Sequence, residues 1–406
     1  MRFLMRKIKF GLVGLGALGQ DRLLIYKELM RKRNVELVTV CDKSEERCKL
    51  ATSQIKVPYY QDVEKMLERE KEIDVVDICA PHFAHHTLGK IAAEHGKHVL
   101  VEKPLALTLP CADLLIRACE KAGVYLEYGE NYFRMPNDRV AIMLLQNGVI
   151  GEVMRVYTVD KAARSQSPLY PAEWQKVLGL AGGGHCFEIG IHRMSQLRLY
   201  AGSEAESLVG LTKTFENLQI ESWGHAIIKF KNNAVGIYEG EDFIGKKVST
   251  STVGPYNQIV GSKGTILINS SGVHLYLTTG TWAEHKEVPV EKIIHNVDGR
   301  EVLDKVVVKT EPPIIWENPF KDCAFNDYFI GFADEIMDMA DAILNNRKPE
   351  YDGVQGRKDL ELVEALYESN LEGMHPIQLP ITAITSYEKK VHEAYKGIFG
   401  HDPLEV

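Results

Sequence analysis

Short β-branched runs alternate with amphipathic stretches through the first third of the chain. Ile8–Val13, Val35–Cys41, Ile73–Cys79, Lys97–Val101 and Val124–Tyr128 read as strands. Helical segments separate them: one opening after Gly19, then Ser44–Leu50, Asp62–Arg69 and Thr108–Lys121. Strands alternating with helices imply right-handed βαβ crossovers and a parallel sheet. Past residue 131 the rhythm changes. Residues 153–163, 206–214, 219–230, 234–241, 248–253, 256–261 and 264–269 read as strands with few helices between them. The pattern predicts an α/β chain of two domains, 1–131 and 132–406, the second an α+β domain built on a large, mostly antiparallel open sheet. Near the end, Asn326–Asn346 is amphipathic with Phe329, Phe332, Ile336 and Ile343 on its core side, and further helices are predicted over Asp352–Ser369 and Tyr387–Ile398.

The first strand runs directly into G-L-G-A-L-G, with glycines at Gly14, Gly16 and Gly19 and a helix opening through Arg22–Ile25. In a strand–turn–helix setting the first glycine permits the tight turn, the second lets a pyrophosphate approach the backbone, and the third allows close helix–strand packing. The helix that follows offers its unpaired N-terminal N–H groups to the phosphates, and the turn residues Ala17 and Leu18 are expected to contact the cofactor. The second strand ends at Asp42, roughly 20 residues on, where the dinucleotide fingerprint calls for an acid. A carboxylate there accepts from the ribose hydroxyls and repels a 2′-phosphate, which selects NAD over NADP. Lys43 and Arg47 offer the opposite reading, a grip on that phosphate, or simply a solvated first helical turn.

Length and charge narrow the class. At 406 residues, 45% hydrophobic and 26% charged, the chain reads as an ordinary globular protein of two domains. A net charge of −8 with no basic stripe argues against a nucleic-acid partner. No run of about 18 apolar residues predicts a membrane span. The basic start at Met1–Phe10 passes straight into the first strand without a small-residue cleavage site, unlike a signal peptide. Seven scattered cysteines without a C-x-x-C pair suit reduced thiols in a cytoplasm.

Candidate chemistry sits at the strand ends, where open α/β sheets bind ligands. Pro81 and His82 follow the third long strand, and His82, His85 and His86 crowd the next helix start; with no carboxylate or cysteine completing a set, they read as a polar turn rather than a metal site, His82 lining a nicotinamide pocket. The fourth strand ends in Glu102-Lys103-Pro104, whose alternation sends Glu102 and Lys103 to opposite sides. Later, Gly182–Gly184 precede a helix on which Phe187, Ile191 and Met194 form an apolar stripe beside His185, Glu188 and His192. The preceding loop carries Tyr170 and Trp174, a wall for a sugar ring or ordinary packing.

Taken together, G-L-G-A-L-G, A-P-H, G-K-H-V-L-V-E-K-P-L-A-L-T, G-E-N-Y-F-R-M-P at Gly129–Pro136, G-V-I-G-E-V at Gly148–Val153, and the closing helix at Asp352–Ser369 resemble the Gfo/Idh/MocA family of glucose–fructose oxidoreductase and inositol dehydrogenase relatives. The resemblance implies a Rossmann NAD-binding domain, a cis Lys103–Pro104 bond, an active-site Lys103, and Tyr132 and Arg134 near the domain junction. It further implies a homodimer or homotetramer formed through the second domain's sheet. The family pattern G-G-G-x-x-x-D-x-G-x-H matches Gly182–Gly184, Gly190 and His192, with Glu188 in place of the usual Asp. The charge survives and the reach grows by one methylene.

These residues lead to an NAD(P)-dependent oxidoreductase acting on a secondary alcohol of a sugar, sugar derivative or cyclitol. His192 exchanges the hydroxyl proton, Lys103 polarises the same oxygen, and Glu188 orients His192 or holds an adjacent hydroxyl. The expected cofactor contacts are Gly14, Gly16, Ala17, Leu18, Gly19, Asp42, Lys43, Pro81, His82, Glu102 and Lys103. The expected substrate contacts are Lys103, Tyr132, Arg134, Trp174, His185, Glu188 and His192. Two alternatives remain open: redox-assisted glycoside cleavage with no net NADH release, and a nucleotide-sensing regulator without turnover.

Overall fold

The computed structural model of the chain describes residues 6–162, 172–214, 219–242, 254–280 and 284–406. The strand expected at 248–253 and Tyr170 lie outside the described residues. Two compact units make up the chain: residues 1–131, 328–358 and 401–406 form the first, and residues 132–327 and 359–400 the second.

In the first unit six parallel strands lie in the order β3-β2-β1-β4-β5-β6. They are β1 (Ile8–Val13), β2 (Val35–Cys41), β3 (Tyr59–Tyr60), β4 (Val75–Ile78), β5 (His98–Glu102) and β6 (Leu126–Gly129). All four residues of β4 are buried, as expected of a strand covered by helices on both faces. The order reverses between β2 and β4 around β1, which places the glycine turn at a topological switch point. Helices between the strands start on side-chain caps: Ser44 accepts from the Arg47 amide and Asp62 from the Lys65 amide.

Residues 328–358 and 401–406, expected within the second domain, pack into this first unit. Buried polar partners draw them there. The Arg22 guanidinium donates to the Phe332 carbonyl and to Glu335; the Tyr128 amide donates to the Tyr351 carbonyl at 2.9 Å; and His86 Nε2 lies 2.8 Å from the Pro403 carbonyl.

The second unit holds a nine-stranded sheet in the order β14-β13-β12-β11-β7-β10-β9-β8-β18. Its strands are β7 (Val153–Ala162), β8 (Ala205–Lys213), β9 (Trp223–Phe230), β10 (Val235–Asp242), β11 (Tyr256–Gly261), β12 (Gly264–Asn269), β13 (Gly272–Thr278), β14 (His285–Val288) and β18 (Ile377–Gln378). The β7–β10 pair is parallel and the other pairs are antiparallel. Burial alternates strictly along β9 and β10, so one face is covered and the other open. Helix Gly190–Ala201 packs on the covered face against β7 and β10. A separate three-stranded sheet, β15 (Val290–Val297), β16 (Arg300–Val308) and β17 (Ile314–Glu317), was not anticipated. Six of the eight β15 residues are exposed, so the strand carries no hydrophobic alternation; its ladder to β16, from Val290↔Val308 to Val297↔Arg300, holds it instead.

Candidate active site

Each glycine of the first turn has its own physical reason. Gly14 adopts φ +93°, and a Cβ there would meet the Cys79 carbonyl oxygen at 2.5 Å. At Gly19 a Cβ would strike the Gly14 carbonyl oxygen at 2.1 Å. Nothing lies within 4 Å of a Cβ built on Gly16, so no contact within the protein requires glycine there. Gly16 is also the N-cap of helix Ala17–Lys32, which has no side-chain cap and no acid in its first turn. Open space over uncapped amides with a favourable dipole is what a dinucleotide pyrophosphate requires, and these residues fit NAD.

Asp42 closes this turn from the end of β2. Its carboxylate accepts from the Leu15 amide at 2.8 Å and the Ser44 amide at 2.8 Å, with Arg47 Nη1 at 3.8 Å. Lys43 is exposed beside it. Ala17 is exposed and Leu18 half-buried on the first helical turn.

At the far strand ends, His85 spans two loops: Nδ1 lies 2.7 Å from the Pro104 carbonyl and Nε2 2.7 Å from the Ala80 carbonyl. Burial and the neighbouring His82 push it down to about 4, against the pull of the two carbonyls. His82 is buried and meets His85 edge to face, and Pro81 is half-buried before it. His85 thereby ties the end of β4 to the turn after β5, a role that sequence reading missed.

The Lys103–Pro104 bond is cis, and Lys103 is half-buried. Glu102, expected among the cofactor contacts, turns into the core. Its Oε1 accepts from Arg22 Nη2 at 2.7 Å and its Oε2 from the Lys103 amide at 3.2 Å. Fully buried Arg22 also bonds Glu335 at 2.6 Å and lies 3.8 Å from Asp77, which takes the Tyr26 hydroxyl at 2.8 Å. One guanidinium among three buried carboxylates leaves negative charge in excess. Burial pushes the Glu102 carboxyl up to about 7, against the opposing pull of Arg22.

The second unit gathers another set. The continuous helix expected after the glycine triplet is broken in two, His185–Glu188 and Gly190–Ala201, with Ile189 between them. Gly190 lies against the Tyr238 hydroxyl, which a Cβ would meet at 2.4 Å. His185 and His192 are both buried and Glu188 is half-buried. The Tyr132 ring lies flat on the His192 imidazole, centroids 3.8 Å apart and planes within 3°. Arg193 crosses the Tyr132 ring at 5.3 Å, bonds Gln196 at 2.8 Å and lies 3.7 Å from Asp160. Asp160 is also 3.8 Å from His185 Nε2. Arg134 is buried with its guanidinium 5.0 Å from the Phe133 ring centroid. Trp174 is half-buried on a short 3-10 turn, Glu173–Lys176.

The structure stacks Tyr132 on His192 and sets Asp160 beside His185 and Arg193. Asp160, Arg193 and Glu221, whose carboxylate accepts from the Gly184 and Cys186 amides, were not among the residues expected from the sequence. A signal for Asp160 existed: Val156, Thr158 and Asp160 share the buried face of β7 at period two, so the acid falls in a core register. Glu221 carries no such pattern. Among the described residues no group of three or more His, Cys, Asp or Glu is arranged to hold a metal ion.

Residues 8–130 match the model of an oxidoreductase family described as an NAD-binding Rossmann fold, and residues 142–379 match the C-terminal alpha/beta domain of the same family. The chain is 32% identical over 147 residues to D-apiose dehydrogenase from Paraburkholderia graminis, across 36% of this chain and 38% of that protein. It is 27% identical over 206 residues to 2,7-anhydro-N-acetylneuraminate hydratase from Mediterraneibacter gnavus, across 50% of this chain and 52% of that protein. These matches thus reach across 38% and 52% of the relatives' lengths. Aldose-aldose oxidoreductase from Caulobacter crescentus, crystallised with glycerol, has the same fold: the TM-score is 0.71 at 22% identity, over 92% of this chain and 100% of that one.

Proposed function

The chain belongs to the Gfo/Idh/MocA oxidoreductase family, and from that premise we propose that it moves a hydride between NAD and a secondary alcohol of a sugar, sugar derivative or cyclitol. The observation that carries this reading is His192, a buried imidazole clamped flat against Tyr132 in the unit without the nucleotide fold. Such an imidazole is held in one plane, with one face closed to water, as a group that exchanges a substrate proton requires.

Bound NAD supplies the hydride acceptor. The amides following Gly16 hold its pyrophosphate, and Asp42 takes the ribose hydroxyls. Lys103 donates to the alcohol oxygen and polarises it. His192 takes the hydroxyl proton, and Glu188, one methylene longer than the family's Asp, holds an adjacent hydroxyl or orients the imidazole. A panel of sugars, inositols and glycosides, read by NADH absorbance, tests this reading; no NADH from any member refutes it.

The similarity to a hydratase supports a second reading, in which NAD oxidises the sugar only transiently and is restored within the same turnover. Consumption of a glycoside without net NADH selects it.

The open sheet face supports homo-oligomers. Val209, Ile227, Ile237 and Tyr157 lie side by side across four strands on that face, Ile227 being 55% exposed. Ile227→Lys is expected to lower the assembly state by size-exclusion light scattering, and an unchanged mass would exclude this face. All seven cysteines are free and buried, which fits a reducing cytoplasm, and among the described residues no helix is long and apolar enough to cross a membrane.

A further inference from the structure

The stretch matched by the family's C-terminal domain ends at residue 379, yet the chain continues into helix Ser386–Phe399. This helix is anchored with unusual care. Thr385 and Glu388 form a reciprocal capping box, with 3.0 Å from the Glu388 amide to Thr385 Oγ1 and 2.8 Å from the Thr385 amide to Glu388 Oε2. A second carboxylate, Glu368, accepts from the Ser386 and Tyr387 amides at 3.0 and 2.9 Å. The segment leading in is held by Glu361, which accepts from the Ile381 amide at 2.8 Å.

The anchored helix bears on the glycine triplet. Tyr387 donates its hydroxyl to the Gly182 carbonyl at 3.0 Å, and its ring stacks on Tyr367 with centroids 4.1 Å apart. Tyr367 donates to Glu221 Oε1 at 2.9 Å. Glu221 in turn accepts from the Gly184 amide at 2.8 Å and the Cys186 amide at 2.9 Å, so its carboxylate caps the short helix bearing His185 and Glu188. The chain of contacts runs from Tyr387 through Tyr367 and Glu221 to the start of that helix.

Packing explains why the turn is glycine. A Cβ on Gly183 would meet the Tyr367 hydroxyl at 2.2 Å, and one on Gly184 the Glu221 carbonyl oxygen at 1.8 Å. At Gly179, just upstream, a Cβ would strike the backbone of Ala394 and Tyr395 within 2.5–2.8 Å. Helix Ser386–Phe399 therefore rests backbone to backbone on residue 179, with no side chain between.

We propose that residues 381–399 brace the 182–188 turn, and that Tyr387 is a positioning residue for His185, Glu188 and His192. The brace acts on the Gly182 carbonyl directly and on the capping carboxylate of Glu221 through Tyr367. The catalytic consequence rests on the proposed sugar oxidoreductase activity, whereas the brace itself does not.

The test uses the full chain carrying Tyr387→Phe, which keeps the ring stack and removes the hydroxyl, and Tyr387→Ala, which removes both. Hydrogen exchange of peptides covering 178–192 is the primary reading. Both variants should exchange faster there, Ala more than Phe, while peptides of β1 and β4 stay unchanged and the melting temperature of Tyr387→Phe stays within about 2 °C of the parent. In turnover of the most active member of the sugar panel, Tyr387→Phe should lower kcat/KM by about 3–10-fold, the scale of one neutral hydrogen bond, with NADH affinity unchanged. Unchanged exchange at 178–192 overturns the brace whatever the kinetics. Faster local exchange with unaltered kcat/KM overturns the positioning role. Faster exchange with no sugar turned over by the parent chain leaves the brace standing and removes the dehydrogenase reading instead.

Discussion

Glu102→Gln makes the buried Arg22 network measurable. In the parent chain the Glu102 carboxyl moves from 4.5 to about 7 on folding, chiefly through burial. A folded pKa above the unfolded one means that the associated stability is fully present below pH 4.5 and is lost as pH rises through about 7. At about 1.4 kcal/mol per pH unit this amounts to about 3 kcal/mol, a large share of an ordinary domain's stability. Glutamine does not titrate, so the variant should lack this loss. It also points an N–H at either Arg22 or the Lys103 amide, which costs about 1–2 kcal/mol. The variant should therefore be the less stable protein at pH 5 and the more stable one at pH 8. The four tryptophans all fall between residues 174 and 316, so their fluorescence reports on the second unit. Native-state hydrogen exchange of Val75–Ile78 and His98–Glu102, compared at the two pH values, reads the first unit directly. A stability difference independent of pH would show that Glu102 stays ionised beside Arg22 throughout, and the argument from excess carboxylates would be wrong.

Further outcomes follow from the candidate site. His192→Ala and Lys103→Ala should each lose about 10²–10⁴-fold in turnover with little change in NAD affinity; near-normal turnover of His192→Ala would move the proton to Glu188 or Lys103. Gly16→Ala should melt like the parent but bind NADH about 10–150-fold more weakly, because its methyl meets only the space meant for the pyrophosphate. Gly19→Ala should instead lose at least about 1–3 kcal/mol of stability against the Gly14 carbonyl, and equal behaviour of the two variants in melting would refute the distinction. Asp42→Ala should shift the ratio of NADH to NADPH affinity toward NADPH by fluorescence titration, and an unchanged ratio would assign the choice to Lys43 or Arg47.

What was legible in the sequence is what neighbours in the chain decide. The βαβ rhythm, the glycine turn with Asp42, and the Ser44 and Asp62 caps each depend on contacts within a few residues or one crossover. Residues 185, 188 and 192 were read as one face of a continuous helix, which the break at Ile189 divides. Tertiary structure decided the partners of buried charge. Arg22 meets Phe332 and Glu335 more than 300 residues away. Asp160 meets Arg193 across a sheet–helix interface, and Glu221 takes amides some 35 residues upstream. An acid in a sequence reads as solvated by default, because water is the cheapest partner for a charge. Only when packing has removed the water does a carboxylate need a named donor, and which donor arrives depends on the whole topology rather than on any local pattern. The same reason hid the role of the C-terminal helix: the helix was expected over Tyr387–Ile398, but the glycine it leans on lies about 200 residues earlier.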